Sequence, residues 1–525
     1  MKYVFAKFYL YLIFITLGVS HAFSQTYNIL DFGAQVGPNY INTVPINEAI
    51  KKCSESGGGK VLIPKGKFVT GTIHLLSNVN LHLENGAVLV GSLDMSHYNL
   101  MPKGYYYSGI NYMGILFAND VKDVSLTGAG TIDGRGTFFM EKNKRFAPSV
   151  EERRYTRQKE QFRDLSRLED GPLIFNERPG HILTISNAKN IRIKDLLFLD
   201  SPKWTLRVGG SEDVKISDIT IKNNLLIANS DGIHITSSSN VHVSNSTVIA
   251  GDDALIVTGF ISGNEQYTYG NQSKEAKNII FDNCIITSKS AGIRVGYGIK
   301  PIKNIIFSNI IITDSNRGIG IFSRDNSTIS EVSFSNIRMD LRLHSDGWWG
   351  KSEPIHISAI PSSPNGTSGK IKNISFSDIQ SYSESGVIIY GEDENLIENI
   401  KMSRVHFQIR EGKFSQKYGG NFDLRPAFSL EKGLFKNDIP AFYAKRVKGL
   451  EINQITLDWN KPTSKFYTNG LEIENFERFI LKNFSISAAK SQDDIFDIKL
   501  SKGTDYKLIN DLSFGKETKI LYPNK

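Results

Sequence analysis

A short phrase of alternating apolar and polar residues returns along most of the chain. It has the form Asn-Ile-x-apolar-x-Asn/Asp-apolar, and clear copies begin at Asn190, Asn240, Asn278, Asn304 and Asn373, with looser copies at Asp213, Glu331, Asn399, Gly449 and Arg478. Alternation with a period of two residues is typical of a strand that buries one face. Each copy therefore predicts one β-strand.

The spacing of the copies predicts how the strands are arranged. The phrase restarts about every two dozen residues, which corresponds to one coil of a solenoid, with two longer intervals. No long amphipathic helix lies between the copies, so doubly wound sheets and eight-fold barrels, which need a crossover helix per strand, are excluded. We predict an all-β fold, a parallel β-solenoid in which each coil stacks on the previous one. The recurring Asn predicts a ladder of amide hydrogen bonds between coils.

The first coil of a solenoid exposes an unpaired sheet edge that needs a cover. The segment Thr43 to Ser54 has the apolar spacing of an amphipathic helix and is predicted to be this N-terminal cap. Gly57-Gly58-Gly59 is predicted to end the helix and to lead into the strand Val61-Leu62-Ile63.

Three segments interrupt the repeat. Residues 141–169 are rich in Lys, Arg and Glu and contain no alternating strand, while 259–277 and 341–372 are polar or aromatic insertions between coils. Loops displaced from a rigid solenoid commonly form the walls of a binding cleft, and we expect the same here.

The N-terminus predicts export from the cytoplasm. Residues 1–24 contain two lysines, an apolar run and a small-residue pattern before Gln25, the features of a cleavable secretory signal peptide. The apolar run is too short for a spanning helix, so we predict a secreted or periplasmic protein without a membrane anchor. Residues 25–525 are predicted to be a single β-helix domain, with the cap and first coils in 25–120 and the remaining coils with their insertions in 121–525.

Composition and charge narrow the possible partners. The chain has 62 Lys and Arg against 54 Asp and Glu, a formal net charge of +8, which suits an acidic polymer. Export and the lack of a dense basic stripe argue against nucleic acid. Cys53 and Cys284 are too few for a disulfide framework or a cysteine metal site, and we predict that both are core residues. We expect a monomer with no metal and no cofactor.

The densest acidic constellation lies in two short motifs, Asn229-Ser230-Asp231-Gly232 and Gly251-Asp252-Asp253-Ala254. Asp231 and Asp252 are separated by about one coil, so stacking is predicted to place them on adjacent rungs about 4.8 Å apart. Carboxylates packed this closely repel one another, which is costly unless function requires it. Hydrolysis of a sugar acetal needs one protonated carboxyl and one ionised carboxylate, and the cluster can supply both.

Motifs along nearly the whole mature chain resemble those of glycoside hydrolase family 28, the polygalacturonase-type pectin hydrolases. The matching phrases are Asp31-Phe32-Gly33-Ala34, Gly57-Gly58-Gly59-Lys60-Val61, Pro64-Lys65-Gly66, Gly130-Thr131-Ile132-Asp133-Gly134, Arg178-Pro179, Ser201-Pro202-Lys203-Trp204 and the two acidic motifs. The resemblance implies a right-handed parallel β-helix that cleaves glycosidic bonds with inversion. It further implies that Asp252 is the general acid, that Asp231 and Asp253 activate water, and that Asn229 orients the cluster.

The sequence departs from this family at two substrate contacts. Ala291 stands where the family usually has the His of Gly-His-Gly, and Gly320-Ile321-Phe322 stands where it has Arg-Ile-Lys. Nearby cations can grip a carboxylate or a sulfate in their place, and we predict this role for Arg294, Arg317 and Arg324. His234, which shares the face of Gly232, and the insertion pair Trp348 and Trp349, suited to stacking on a sugar ring, complete the predicted substrate-binding set.

Two alternative functions remain open from the sequence. A polysaccharide lyase on a similar helix would use the three Asp side chains as Ca²⁺ ligands, because Ca²⁺ prefers oxygen donors. A non-catalytic carbohydrate-binding solenoid would have lost its active site together with the two missing motifs. The primary hypothesis is hydrolysis of a galacturonate-containing or otherwise acidic polysaccharide, with exo action favoured by the long insertions.

Overall fold

The computed structural model describes residues 25–101, 111–145, 170–260, 274–345, 347–424, 434–435, 438–460, 462–487, 495–509 and 519–522. The predicted signal peptide at 1–24 lies outside these residues. Residues 146–169 and 261–273 also lie outside them, and these form the greater part of the predicted insertions 141–169 and 259–277.

Parallel strands form three stacks around one apolar interior, joined in a single hydrogen-bonded array. The first stack contains Thr26–Asn28, Gly59–Ile63, Val79–Leu83, Lys122–Gly128, Lys189–Lys194, Glu212–Ser217, Ser239–Ser244 and Thr504–Ile509. The second contains Gly37–Ile41, Gly66–Thr70, Ala87–Gly91, Thr131–Asp133, Leu197–Leu199, Thr220–Lys222 and Thr247–Ala250. The third contains Ile73–His74, Leu116–Asn119, Leu183–Ser186, Leu206–Gly209, Ile233–Thr236, Leu255–Thr258, Ala291–Gly296, Arg317–Ser323, Glu353–Ala359, Val387–Gly391, Ile498–Ser501 and Ile520–Leu521.

Longer strands connect the stacks in the later coils. Five of them run through the first and second stacks: Ala276–Ser288, Ile302–Ser315, Ile329–Leu341, Ile371–Ser383 and Ile397–Ile409. Phe442–Trp459 and Leu471–Ile486 begin in the third stack and continue into the other two. The described helices are Thr43–Glu55, Ser415–Tyr418 and the short 3-10 turns Ile29–Phe32, Met95–His97 and Gly136–Phe139. The prediction of a right-handed parallel β-helix is confirmed.

The repeated phrase forms the first stack, as predicted. Its alternating apolar residues point inward, and parallel register places like side chains above one another. Phe281, Phe307, Phe334 and Phe376 form a continuous row whose neighbouring ring centroids lie 4.9 to 5.1 Å apart and whose planes are within 8° of parallel. The same apolar position in each coil therefore builds one uninterrupted core.

The predicted Asn ladder runs along the corner at which the first stack begins. The side-chain amide of Asn278 donates to Asn240 at 3.0 Å, and that of Asn304 donates to Asn278 at 2.8 Å. These residues have φ values of about 55°, in the left-handed region that Asn tolerates better than most residues. The ladder thus satisfies the side-chain amides at a turn whose left-handed conformation would be strained for most other residues.

The predicted cap is confirmed as the helix Thr43–Glu55, which buries Ile46, Ala49, Ile50 and Cys53. Gly58 and Gly59 follow with φ values of 111° and 149°, where a side chain would meet the main chain of neighbouring coils. These close approaches explain why glycine ends the cap.

Two predicted interruptions are organised differently from the sequence expectation. The segment 341–372 is not one insertion, because Glu353–Ala359 inside it is a regular strand of the third stack. The segment 141–169 begins in a strand, since Met140–Arg145 pairs antiparallel with Leu173–Phe175 outside the solenoid. Neither element shows the alternation expected of a half-exposed strand. The first is buried on both faces, and the second is fully buried only at Met140.

The third stack differs from the others because both of its faces are covered. Strands such as Ile233–Thr236, Ala291–Gly296 and Arg317–Ser323 are buried at every residue, whereas Ala276–Ser288 alternates buried and exposed positions. Outward positions of the third stack hold buried polar side chains, including His234 and Arg294. Polar side chains are costly to bury unless function requires them. We therefore expect this face of the β-helix to be the functional one.

Replacing Phe307 with Ala should strongly destabilise the protein, because it opens a cavity in the phenylalanine row. The expected loss is about 3–5 kcal/mol in the free energy of unfolding. Ile306→Ala is the matched control, since Ile306 precedes Phe307 on the same strand but is 38% exposed. Urea unfolding followed by circular dichroism should show a much larger midpoint shift for Phe307→Ala. Equal shifts for both variants would contradict this account of the core.

Candidate active site

The three acidic residues lie at one corner of the solenoid, where the chain passes from the second stack to the third. Main-chain hydrogen bonds set the rungs in register: Thr205 N donates to Asp231 O at 2.9 Å, and Gly232 N donates to Asp253 O at 2.9 Å. Asp231 and the pair Asp252 and Asp253 therefore occupy adjacent rungs, as their spacing predicts. All three side chains are more than 90% buried.

Small residues and a left-handed Asn make this close stacking possible. A Cβ atom on Gly232 would collide with the carbonyl oxygen of Ala254, and one on Gly251 would collide with that of Ile227. Asn229 adopts a φ of 59°, a conformation that Asn accepts more readily than most residues. The glycines of both acidic motifs thus allow neighbouring rungs to approach one another closely, because they have no Cβ atom.

Asp252 is held by hydrogen bonds on both carboxylate oxygens. Its Oδ2 accepts from the main-chain N of Asn229 at 3.2 Å and from the Asn229 side-chain amide at 3.3 Å. Its Oδ1 accepts from the main-chain N of Asp253 at 3.0 Å. Burial, followed by the charge of Asp253, raises the pKa of Asp252 to about 7 despite the opposing effects of Arg294, Asn229 and Ser290.

Asp253 forms an ion pair with Arg294. The Nε of Arg294 donates to Oδ2 of Asp253, while Oδ1 accepts from the main-chain N of Ala291 at 2.9 Å. The Arg294 guanidinium also lies 4.6 Å from the ring centroid of Tyr297. Arg294, predicted to bind substrate, thus lies inside the acidic cluster, and Ala291 contributes its main chain at the position where the family His was expected.

Asp231 completes the cluster without a strong ion pair. Its Oδ2 is 3.8 Å from Nη2 of Arg294, and burial together with the charges of Asp252 and Asp253 raises the pKa of Asp231 well above its ordinary value. Asp231 Oδ1, His234 Nδ1 and Arg294 Nη1 are buried atoms with no hydrogen-bond partner among the described residues. Such groups are costly to bury, so their convergence points to a ligand at this corner.

His234 is brought to the cluster, but as part of an aromatic stack. The Trp204 ring lies between His181 and His234, with centroid distances of 4.7 and 3.9 Å. Nδ1 of His234 is 3.6 Å from Oδ2 of Asp231, and Nε2 is 3.2 Å from Oγ1 of Thr258. Burial and nearby Arg side chains hold the pKa of His234 well below its ordinary value, so the imidazole contacts Asp231 as a neutral ring.

Arg317 and Arg324 are placed beside the site but turned into the protein. Nη2 of Arg317 donates to the carbonyl of Asp423 at 3.0 Å, and its Nε lies 3.4 Å from a carboxylate oxygen of Glu353. Nη2 of Arg324 donates to the carbonyl of Leu424 at 3.0 Å. Both guanidinium groups lie near the Phe322 ring. The segment 421–424 thus occupies the groups that the sequence assigned to substrate.

The two insertion tryptophans have different environments. Trp348 is buried, and its Nε1 donates to the carbonyl of Asp170 at 2.5 Å, which fastens the loop before Glu353 to the segment that ends the first insertion. A cluster of Lys289, His344 and Asp170 reinforces this junction, with Lys289 Nζ 3.0 Å from His344 Nδ1. Trp349 is 40% exposed.

Three residues near the cluster were not selected as site residues from the sequence. Ser290 forms a side-chain hydrogen bond with Asp252, and the charge of Asp231 acts on both Arg178 and Lys203. Arg178 and Lys203 do belong to phrases that carry the family resemblance, so that signal could have identified them. Ser290 gave no such signal, because its role depends on how the coil at Ala291 stacks on that of Asp252.

Among the described residues, no group of three or more His, Cys, Asp or Glu side chains is arranged to hold a metal ion. No helix in the described part of the chain is long and apolar enough to cross a membrane.

Comparison with known proteins assigns the chain to a class of enzymes. The model of the family "Glycosyl hydrolases family 28" matches residues 53–419, and the chain belongs to this family. A probable polygalacturonase from Vitis vinifera is 27% identical over 47% of this chain, and an exo-poly-alpha-D-galacturonosidase from Dickeya chrysanthemi is 26% identical over 45%. The matches span 47% and 42% of those relatives, so the chain covers about half their length.

A solved structure shares the fold over most of the chain. The family 28 exopolygalacturonase of Yersinia enterocolitica matches with a TM-score of 0.58 and 16% identity, covering 89% of this chain and 78% of the other. At this identity the comparison establishes the shared β-helix and no more.

Replacing Asp252 with Asn should stabilise the protein, and the gain should grow with pH. The pKa of Asp252 is about 7 in the folded protein, above its ordinary value of 3.8, so its ionisation opposes folding. The contribution of the neutral carboxyl is fully present below about pH 4 and is lost as pH rises through 7. Thermal unfolding at pH 4 and pH 8 should therefore show a larger increase in Tm at pH 8. A gain that did not change with pH would contradict the raised pKa.

Proposed function

We propose that this protein is a secreted glycosidase that hydrolyses glycosidic bonds in a galacturonate-containing, pectin-like or other acidic polysaccharide. The observation that carries the proposal is the burial of Asp231, Asp252 and Asp253 on adjacent rungs beside one Arg. Three carboxyl groups with a single strong ion pair cannot all ionise cheaply, so the site holds a proton near neutral pH. That proton is what a departing sugar oxygen requires.

Asp252 is the proposed general acid. Its pKa of about 7 keeps the carboxyl protonated in mildly acidic solution, and its contacts with Asn229 and Ser290 fix the direction of the proton. It donates that proton to the glycosidic oxygen as the bond to the anomeric carbon breaks. The resulting carboxylate is stabilised by the same hydrogen bonds.

Asp253 and Asp231 are the proposed pair that activates water. Asp253 is oriented by its ion pair with Arg294, while Asp231 has an oxygen with no hydrogen-bond partner among the described residues. Water held between them loses a proton as its oxygen attacks the anomeric carbon opposite the leaving group. This single displacement inverts the anomeric configuration and needs room for water between acid and base.

The curated relatives and the local charge support an acidic substrate. Relatives are named polygalacturonase and exo-poly-alpha-D-galacturonosidase. Arg178 and Lys203 lie beside Asp231 on one side, and Arg294 lies on the other. In the proposed complex, these positive charges would attract the carboxylates of a uronate polymer toward the cleaved bond.

Exo action is the proposed mode of cleavage. On the C-terminal side of the acidic cluster, Trp348 donates to the carbonyl of Asp170, and the segment 421–424 covers Arg317 and Arg324. A groove closed at one end accepts a chain terminus and excludes the middle of a polymer. Time-resolved product analysis should show short products from the start, and a ladder of internal fragments would contradict this mode.

Export through the signal peptide predicted at 1–24 completes the proposal. Polysaccharides of plant cell walls are too large to enter a cell, so the enzyme would act outside the cytoplasm, or in the periplasm on imported fragments. Mass spectrometry of the mature protein should find its N-terminus at Gln25. An intact Met1 in the exported fraction would overturn the cleavage.

Asp252→Asn should remove reducing-sugar release from the acidic polysaccharide that the wild type cleaves. Loss of a positioned general acid should lower kcat/KM by about 10²–10⁴-fold. Asp195→Asn is the matched control, because Asp195 is an exposed residue of the first-stack phrase paired with Lys194. The substrate panel contains pectic, rhamnogalacturonan and sulfated algal polysaccharides with their oligosaccharides.

Two outcomes of that panel would overturn hydrolysis. New ultraviolet absorbance that disappears with a chelator would identify a lyase, and binding without product from any member would identify a non-catalytic solenoid. Equal loss of activity in Asp195→Asn would show that the Asp252 effect is not local.

The pH profile of kcat/KM should fall on its alkaline side near the pKa of Asp252. The acid must be protonated to act, so activity is present below about pH 7 and declines as pH rises through that value. Measurements across pH 4 to 9 on the substrate found by the panel would test this. A profile that stays flat to pH 9 would rule out Asp252 as the general acid.

A further inference from the structure

The imidazole of His234 is confined by the rungs on either side of it. Its ring centroid lies 3.9 Å from that of Trp204, with 28° between the two ring planes. On the following rung His234 is in register with Ile256, a fully buried aliphatic side chain. His234 itself is 1% exposed. The ring therefore has little freedom to turn, and each of its two nitrogens has defined neighbours.

The Nε2 side of this ring meets a pair of hydroxyl groups. Oγ1 of Thr258 lies 3.2 Å from Nε2 of His234 and 3.0 Å from Oγ1 of Thr236. Thr236 and Thr258 are in register on adjacent strands of the third stack, and both are buried. Hydrogen bonds in such a chain point the same way along its length, so the proton position at one end determines the other end.

The Nδ1 side of the ring faces the carboxylate of Asp231. Nδ1 lies 3.6 Å from Oδ2 of Asp231, the same oxygen that lies 3.8 Å from Nη2 of Arg294. Nδ1 of His234 and Oδ1 of Asp231 have no hydrogen-bond partner among the described residues. Hydrogen bonds between catalytic groups often shorten only when the substrate binds, so this pair is placed to form one.

The neighbours of the ring favour one tautomer. Burial, followed by the charges of two Arg side chains, lowers the pKa of His234 well below its ordinary value, so the ring carries a single proton. An unprotonated Nδ1 would turn its lone pair toward the ionised carboxylate of Asp231, which is repulsive, whereas a protonated Nδ1 donates to it. Nε2 then accepts from the hydroxyl of Thr258, which in turn accepts from that of Thr236.

We propose that His234 is a positioning residue, which holds the Asp231 carboxylate for water activation through an Nδ1–H tautomer that the hydroxyl groups of Thr258 and Thr236 maintain. This inference rests on the proposed function and gives His234 a role through Asp231, without contact between the imidazole and the substrate. His234 and Arg294 both approach Oδ2 of Asp231, which leaves Oδ1 to accept a hydrogen bond from the attacking water. The imidazole keeps its own proton throughout the reaction.

Asp231 needs this donor because its surroundings oppose ionisation. Burial, followed by the charges of Asp252 and Asp253, raises the pKa of Asp231 well above its ordinary value. When Asp252 is protonated and ready to act as the acid, its charge is absent, but burial and the charge of Asp253 remain. A hydrogen bond from Nδ1–H stabilises the ionised carboxylate without adding another charge. The other charged or titratable groups around this pair are Arg294, Arg178, Lys203, Arg207 and His181.

The tautomer can be measured without activity, in the full-length protein labelled with nitrogen-15 histidine. Long-range proton–nitrogen correlation spectra distinguish protonated from unprotonated ring nitrogens. His234→Phe, which keeps an aromatic ring beside Trp204, identifies the signals of His234. We expect a protonated Nδ1 and an unprotonated Nε2 from pH 5 to pH 8. Thr258→Val should introduce the Nε2–H form, because Nε2 then loses its donor.

Thr258→Val should also change the pH profile of kcat/KM on the substrate found by the panel. A weaker hydrogen bond raises the pKa of Asp231, so the acid-side decline should move to higher pH by about one pH unit. The alkaline decline set by Asp252 should stay near pH 7. We expect kcat to fall about tenfold with little change in KM, because Thr258 acts through His234 and not on the substrate. Thr258→Ser keeps the hydroxyl and should restore the wild-type profile.

Thr127→Val is the matched control, because it removes another threonine hydroxyl that contacts a histidine. Oγ1 of Thr127 lies 2.9 Å from Nδ1 of His82 on the neighbouring strand, in the first stack and outside the acidic cluster. This variant should keep the wild-type pH profile. Thermal unfolding checks that each variant folds, and the wild-type spectrum decides by itself where a variant does not.

The outcomes separate this inference from the proposed function. No cleavage of any panel member by the wild type would overturn the proposed function and this role of His234 together. Cleavage by a protein whose His234 is the Nε2–H tautomer would overturn the role of His234 alone. Equal pH profiles for Thr258→Val and Thr127→Val would do the same, since a purely structural imidazole would leave the acid-side decline in place.

Discussion

Main-chain hydrogen bonds between successive coils determine every other property of this protein. They hold neighbouring rungs one strand spacing apart, about 4.8 Å, so residues some twenty positions apart in sequence become direct neighbours. The bonds from Thr205 to Asp231 and from Gly232 to Asp253 place three carboxyl groups at one corner. The same geometry aligns the phenylalanine row and the Asn ladder. Core and site are thus two results of one repeated stacking distance.

Burying three carboxyl groups side by side is energetically unfavourable. The contacts that compensate this cost differ among the three groups. Asp253 forms an ion pair with Arg294, and Asp252 accepts hydrogen bonds on both carboxylate oxygens. Asp231 has no close ion pair, and its Oδ1 has no hydrogen-bond partner among the described residues. The unequal environments push the carboxyl groups toward different protonation states, which acid–base chemistry requires. Stability and function therefore oppose each other at this corner.

The third stack shows how a rigid solenoid acquires specificity. Its outward positions are not left to solvent, as they are in the first stack. Segment 421–424 contacts Arg317 and Arg324, and Trp348 contacts Asp170. Two positions at which the family motif expects substrate contacts hold Ala291 and Phe322 instead, and nearby charges are paired with protein groups. On the other side of the acidic cluster, Arg178 donates to the carbonyls of Pro202 and Ala228. Loop packing, more than the helix itself, decides which protein groups the basic side chains contact.

The sequence alone determined the repeat, the N-terminal cap and the position of the acidic cluster, because each depends on local alternation or on a spacing of one coil. The family was also recognisable, since its motifs are short and contiguous. Only the tertiary structure decided which cations belong to the site. Arg294, Arg317 and Arg324 look equivalent in sequence, yet one pairs with Asp253 and the other two bind segment 421–424, about a hundred residues away. No local pattern encodes a contact at that separation, because the loops that make it follow no repeat.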